Sequence, residues 1–259
     1  MNIILSRKGF DSGAGGIPSP ILPDGTLLSL PIPSDDKDLY ESLMYEGKSY
    51  LEIIKELKQS FSLLHCHVDP DIRKIEGKNI KDWVPAFGQA GAALTHFLNH
   101  NVGVGDIFLF YGWFRQTEYS KDGKLQYIKG APDLQIIYGY LQVGEMLTDY
   151  NDIKKYYWHP HADIKRKDSN LNALFLPNEH LLDTNKPGYG TFMYNDNLVL
   201  TKKGHCRSHW NLPKCLEGKE ISYHDKSNYK DGYFQSAMRG QEFVVKCDKE
   251  VIDWIKRLF

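Results

Sequence analysis

A chain of 259 residues that is 41% hydrophobic and 13% aromatic can bury a large core, which excludes a disordered or fibrous protein. Its 32 basic and 33 acidic residues give a net charge of -1, so no global field draws it to nucleic acid, and any such binding has to use a local patch. Cys66, Cys206, Cys215 and Cys247 form neither a C-x-x-C pair nor a dense framework, which excludes a disulfide-stapled domain and points to reduced thiols. The opening MNIILSRKGF has too brief an apolar run for a signal-peptide core, and no later stretch approaches a membrane span. A cytoplasmic protein without a membrane partner is expected.

Asn2 to Leu5 reads as a first strand delivering the glycine-rich segment Ser6 to Gly16. Backbone amides there can meet an anion, with Arg7 and Lys8 supplying charge, but the spacing fits neither nucleotide-loop pattern and an ordinary surface loop is the equal alternative. Ile17 to Gly25 is turn-rich, and Leu27 to Ile32 reads as a strand ended by Pro33. Ser34-Asp-Asp is expected to cap a helix carrying Leu39, Leu43 and Met44. Ser49-Tyr-Leu-Glu52 matches a capping box for a second helix, with Leu51, Ile54, Leu57 and Phe61 on one side.

Leu63 to Asp71 is the densest polar cluster of the N-terminal half. If it is extended, His65, His67 and Asp69 share a face, which is compatible with a metal ion, although satisfied structural groups are the preferred reading. No other Cys/His pattern completes a zinc set, so no metal is assigned. Phe87 to Leu98 reads as one helix with a narrow Gly91/Ala92 surface, which would let Gln89 and His96 face one pocket.

The stretch Gly103 to Met146 is the expected centre of the fold. Ile107 to Tyr111 is one apolar strand, Gln135 to Val143 is another interrupted by Gly139, and Asp122-Gly123 supplies the reversal of an antiparallel pair. Trp113 and Phe114 lie beside Arg115, a grouping that stacks a base in some proteins and fills a core in most. Tyr156 to His161 concentrates aromatic rings with His159 and His161, where ligand contacts are preferred to a metal because no third ligand is identifiable. Asn172 to Leu176 and Leu198 to Thr201 read as further strands, and Thr201 to Trp210 is a basic turn suited either to phosphate or to solvent. Near the end, Arg239 and Glu242 precede a β-branched strand, paired structurally or functional. Asp248 caps a last helix with Val251, Trp254, Ile255 and Leu258 on one face. With no internal repeat or linker, residues 1–259 are expected to form a single composite α+β domain.

Taken together, Ser6-Arg-Lys-Gly-Phe-Asp-Ser with Gly16-Ile-Pro-Ser-Pro and Leu30-Pro-Ile-Pro, Cys66-His-Val-Asp-Pro-Asp, Phe87-Gly-Gln-x-Gly-Ala-Ala with His96, Gly103 to Arg115, and Arg239-Gly-Gln-Glu-Phe-Val resemble the nucleotide modification associated domain 3 family. The blocks span nearly the full length. A fainter similarity links the strand pair to PUA-like domains such as EVE, ASCH and YTH, which implies a curved mixed or antiparallel β-sheet or partial barrel with flanking helices. By analogy, such domains read a flipped base in an aromatic pocket.

These resemblances imply a nucleotide- or nucleic-acid-binding protein of a base-modification or defence system. Trp113, Tyr138 or Trp158 would stack a base; Arg7, Lys8, Asp11, Ser12, Gln89, His96, Arg115, His159, His161, Arg239 and Gln241 would contact the nucleotide, modified or not. If chemistry occurs, His67 with Asp69 is the first acid–base pair and Glu242 the second choice. The competing classes are an enzyme on a nucleotide or NAD-like ligand, such as a hydrolase or a glycosyl or ADP-ribosyl transferase, and a noncatalytic adaptor. No cofactor and no protein partner is identifiable.

Overall fold

The Gly103 to Met146 stretch supplies the two longest strands, Ile107–Tyr119 and Leu134–Leu147, paired antiparallel from Ile107↔Gln142 to Phe114↔Leu134. A computed structural model describes residues 1–78, 80–237 and 242–259. Asp122-Gly123 does make a reversal, with Gly123 at φ +73, but a shorter one. It returns Leu125–Tyr127 onto Thr117, Glu118 and Tyr119, and a longer connection then leads to the second strand.

Around this pair the fold is α+β, built on a strongly curled half-barrel of mixed sheet. Its main path runs Glu242–Lys246, Asn2–Arg7, Ile107–Tyr119, Leu134–Leu147, Asn172–Pro177, Phe87–Ala90. Only the Asn2–Arg7 contact with Ile107–Tyr119 is parallel along that path. The curl has a local cause in Leu134–Leu147, whose register shifts between Ile137 and Gly139 and again between Val143 and Glu145. A bulge adds a residue to one strand and bends it. Gly139 keeps the first bend tightly packed, since a Cβ there would press on the end of the Ile72 side chain and the Gly190 carbonyl. Inside the curl, Phe87, Phe97, Phe108, Phe110 and Phe175 pack ring on ring, so the central strands are buried on both faces.

The curl brings the two ends of the path together, and side chains rather than backbone join them. Glu242 Oε1 accepts from Lys8 Nζ at 2.9 Å and from Gln89 Nε2 at 2.7 Å, although Glu242 and Gln89 stand on opposite end strands. The Glu242 side chain is 2% exposed and that of Lys8 11%. The Lys8 ammonium also lies 4.6 Å from the Phe87 ring centroid.

Three helices close the outside. Ser49 forms both halves of the capping box of Tyr50–Leu57, which buries Tyr50, Ile53 and Ile54. Gly91–Asn99 seats Leu94 and Phe97, and Lys249–Arg257, capped by Asp248, seats Val251, Trp254 and Ile255. No helix among the described residues is long and apolar enough to cross a membrane, and all four cysteines are free.

Four local expectations change. Leu27 makes only an isolated bridge to Ile21, and the strand expected over Leu27 to Ile32 begins instead at Ile32 and runs through Pro33. Ile32–Leu39 is a strand paired with His65–His67 rather than the start of a helix, because alternation turns Asp36 and Asp38 inward, where Lys165, His67 and Lys78 meet them. Phe87–Ala90 is a strand and the helix begins only at Gly91, whose φ of +58 makes the bend. Gln89 and His96 therefore do not share a helical face. Leu198 ends a short 3-10 turn, and Val199 and Thr201 make isolated bridges instead of a strand.

If the buried carboxylate joins the sheet ends, Glu242→Ala leaves the Lys8 ammonium uncompensated, and urea unfolding should show a loss of about 3–5 kcal/mol. The Lys8→Met/Glu242→Leu double variant should recover most of it. A single-variant loss below about 1 kcal/mol would contradict the role given to this pair.

Candidate functional site

Beside the Lys8–Glu242 bridge lies a cavity of about 180 Å³ lined by Arg7, Lys8, Asp11, His67, Asp69, Gln89 and His161, with Gly9, Ala14 and Ile32 completing the wall. The end of the first strand, the loop after it, the strand His65–His67, the strand Phe87–Ala90 and the turn Pro160–Ala162 each contribute. A larger number of groups is brought together here than at any one stretch of the sequence.

Hydrogen bonds assign the histidine protons. Asn172 Nδ2 donates to the His161 carbonyl at 3.0 Å, so Asn172 Oδ1 is the atom facing His161 Nδ1 at 2.7 Å, and that ring nitrogen donates. His161 Nε2 is then left with a lone pair. Burial pushes the His161 pKa down to about 3, which keeps the ring neutral. His67 Nδ1 lies 2.7 Å from Asp36 Oδ2. The His67 hydrogen bond, opposed by burial and helped by Lys165 and Ser34, holds Asp36 well below the usual carboxylate range, so the carboxylate accepts and His67 Nδ1 donates. His159 is the converse case. Its Nδ1 accepts the His161 amide at 3.2 Å, so its proton is on Nε2, 3.3 Å from Asp69 Oδ1 but poorly aligned for a hydrogen bond.

Asp69 is the convergence point. Its Oδ1 accepts from the Gly88 amide at 2.7 Å and faces His159, while Oδ2 lies 3.9 Å from His67 Nε2. Burial pushes this carboxyl up, and the His159 ring, with Lys8 further off, outweighs it, so Asp69 sits below its usual range and stays ionised. One ligand atom each of His67, Asp69 and His161 lies within 4.8 Å of the others. The carboxylate that orients His67 is thus Asp36, while Asp69 faces its other nitrogen without a hydrogen bond. Gly88 makes room for this cluster, since a Cβ there would collide with the His161 ring.

The cationic side differs from the simple expectation. The Asp11 carboxylate accepts from the Gly13 and Ala14 amides, each at 2.7 Å, so the glycine-rich loop folds on its own anion. Lys8 is engaged by Glu242, where burial raises the carboxyl pKa and Lys8 opposes the rise. Arg7 retains a buried Nε with no partner among the described residues.

Other sequence candidates stand elsewhere. Glu242 lies in a second layer behind Lys8 and Gln89, and His159 is fully buried behind Asp69. Trp113 is covered by the Arg207 guanidinium at 4.0 Å, and Arg207 also donates to Ser12 Oγ at 3.0 Å. Arg115 is held by Asp133 and lies over Tyr127. His96 faces Ser222 and stacks on Tyr223. Arg239 and Gln241 lie outside the described residues. Sequence reading missed Asp36, Lys165 and Asn172; the acidic alternation at Asp36 and Asp38 was the available signal.

Compared with known proteins, residues 2–246 match the family model described as Nucleotide modification associated domain 3. No curated protein and no solved structure matches.

A proton–nitrogen correlation spectrum of the histidine rings at neutral pH should show His161 carrying its proton on Nδ1 and His159 on Nε2. The reverse pattern would overturn the orientation of the cluster.

Proposed function

Since the chain belongs to the nucleotide modification associated domain 3 family, we propose that it is an enzyme acting on a nucleotide or on a base of a nucleic acid. The observation that carries this reading is a polar cavity lined by one half-buried cation, Arg7, whose Nε is buried without a partner among the described residues, and by a carboxylate flanked by imidazoles. Clusters of titratable groups shifted by burial and by one another are typical of reacting centres.

Size limits what enters. A cavity of about 180 Å³ is smaller than the roughly 300–1,000 Å³ of sites that enclose a drug-sized ligand. One moiety of the substrate is therefore seated, and the rest stays outside. In this reading a base edge points toward His67, Asp69 and His161, Gln89 contributes amide hydrogen bonds, and Arg7 takes a phosphate or an anionic group of the base. A base within a duplex has to be extruded to reach such a site.

A pocket that only reads a base uses a stacking ring, and no Phe, Tyr or Trp among the described residues lines this cavity. Of the rings considered for stacking, Trp113 is under Arg207, and Tyr138 and Trp158 are buried away from this lining. That contrast favours chemistry over passive recognition.

Nucleoside monophosphates and short single strands with modified and unmodified bases provide the test, followed by mass spectrometry for product and by nuclear magnetic resonance for binding. Arg7→Ala should weaken binding by about 1.5–3 kcal/mol, the worth of a charge-assisted hydrogen bond, and Trp113→Ala should leave it unchanged. Binding without any product would reduce the protein to a reader. Resonance shifts around Trp113 and Arg115 with none around His67 and His161 would remove the cavity from the proposal.

A further inference from the structure

We propose that His67 Nε2, Asp69 Oδ2 and His161 Nε2 form a binding site for one divalent first-row transition-metal cation. The inference deepens the reading above by naming a cofactor of the same cavity, and it rests on that reading only for what the ion does, not for its binding.

Ligand type is the first support. Two imidazoles and one carboxylate are a donor set of intermediate softness, suited to zinc, iron, manganese or cobalt rather than to calcium or magnesium, which prefer all-oxygen shells. The sequence suggested His67 and Asp69 on one strand face and His161 in a separate histidine pair that lacked a third ligand. The fold supplies that third ligand by setting the turn Pro160–Ala162 against the strand His65–His67, with the two rings 5.4 Å apart at their centroids.

Orientation is the second support, and it is independent of the first. Metal-ligating histidines donate their other N–H to a carboxylate or carbonyl oxygen, which fixes the tautomer and aims the lone pair. Both rings do this here: His67 Nδ1 on Asp36 and His161 Nδ1 on the Asn172 carbonyl oxygen. The carboxylate is prepared in the same way, because the Gly88 amide and the His159 ring occupy its Oδ1 side and leave Oδ2 toward the histidines. Three donor atoms therefore face one another with no donated proton assigned between them. A cation satisfies such a set.

Charge is the third. Around the cavity Arg7, Lys8 and Lys165 carry three positive charges, against four negative ones on Asp11, Asp36, Asp69 and Glu242. On these side chains alone the site is one negative charge in excess, and a divalent ion reverses that sign.

Fit requires a small closure. The donor atoms lie within 4.8 Å of one another. Metal–nitrogen bonds of about 2.0–2.1 Å would draw them to roughly 3.3 Å. Arg7 and Gln89 line the same cavity and would contact a water or a substrate oxygen held there. When bound, such an ion acidifies a coordinated water or polarises a substrate oxygen.

The test is direct metal binding by the full chain after chelator treatment and dialysis, using zinc, manganese and cobalt salts alone in calorimetry. Cobalt absorption serves as a second readout. One equivalent should bind, calcium and magnesium should not compete, and Asp69→Asn and His67→Ala should each weaken binding by about 100-fold or more. Asp36→Asn, which touches no ion, should weaken it by about 10- to 100-fold. His205→Ala, at a half-buried histidine pair elsewhere, should change nothing. Circular dichroism of each variant separates lost ligands from lost fold, and His161→Gln serves if His67→Ala does not fold. No stoichiometric uptake by the wild-type chain, or uptake that survives both Asp69→Asn and His67→Ala, would overturn the site. Nucleotide binding is measured separately, so an ion without nucleotide, or nucleotide without an ion, tells the two readings apart.

Discussion

Everything at the cavity depends on one buried carboxylate holding the two ends of a curled sheet together. Glu242 belongs to one end strand and Gln89 to the other, and a single oxygen of Glu242 accepts from both Gln89 and Lys8. Burying a charged pair costs several kcal/mol of desolvation per ion, so such a contact adds little net stability and is better read as a device that fixes which strands lie side by side. Apolar closure by the phenylalanine cluster supplies the driving force; the carboxylate ties the two end strands to each other through side chains. Because Lys8 and Gln89 also line the cavity, the same contact that closes the half-barrel places one wall of the site.

The opposite wall is built by a different economy. Asp36 and Asp38 face inward from a two-stranded ribbon, where Lys165 and Lys78 neutralise them and His67 hydrogen-bonds Asp36. Asp36 thereby spends its charge on orienting His67. Asn172, on a strand of the main sheet, does the same for His161. The imidazoles are thus aimed by partners on rigid strands, and Gly88 lets the His161 ring lie against the neighbouring backbone. A centre held this way needs no loop closure to acquire its geometry.

Much of the frame was legible in the sequence, for reasons that are local. The capping box at Ser49, the Asp248 cap and the long apolar runs around Gly139 depend on neighbours within a few residues, and each formed as read. The misreadings came where long-range contacts won. Ser34-Asp-Asp looks like a helix cap, but its aspartates are taken by histidine and lysine residues distant in the chain. One misreading had a local cause: the glycine-rich loop looks like an anion cradle, but Asp11 within it already accepts from the Gly13 and Ala14 amides. At the site, His67, Asp69, Arg7, Lys8, Gln89 and His161 were all recognisable as chemistry-bearing residues. Their convergence was not, because it is a property of the curl, and the pairing of His67 with His161 joins two segments that look unrelated in sequence. Trp113 and Arg115 were singled out for being adjacent to each other, which says nothing about what Arg207 and Asp133 do to them once folded.

A crystal structure of the protein grown with a nucleoside monophosphate examines the arrangement most directly. The predicted result is density for one moiety of the nucleotide between Arg7 and the His67, Asp69 and His161 cluster, with Gln89 still bonded to Glu242 behind it. Nucleotide density on the Trp113 face with this cavity filled by solvent, or Gln89 and Glu242 found apart, would contradict it.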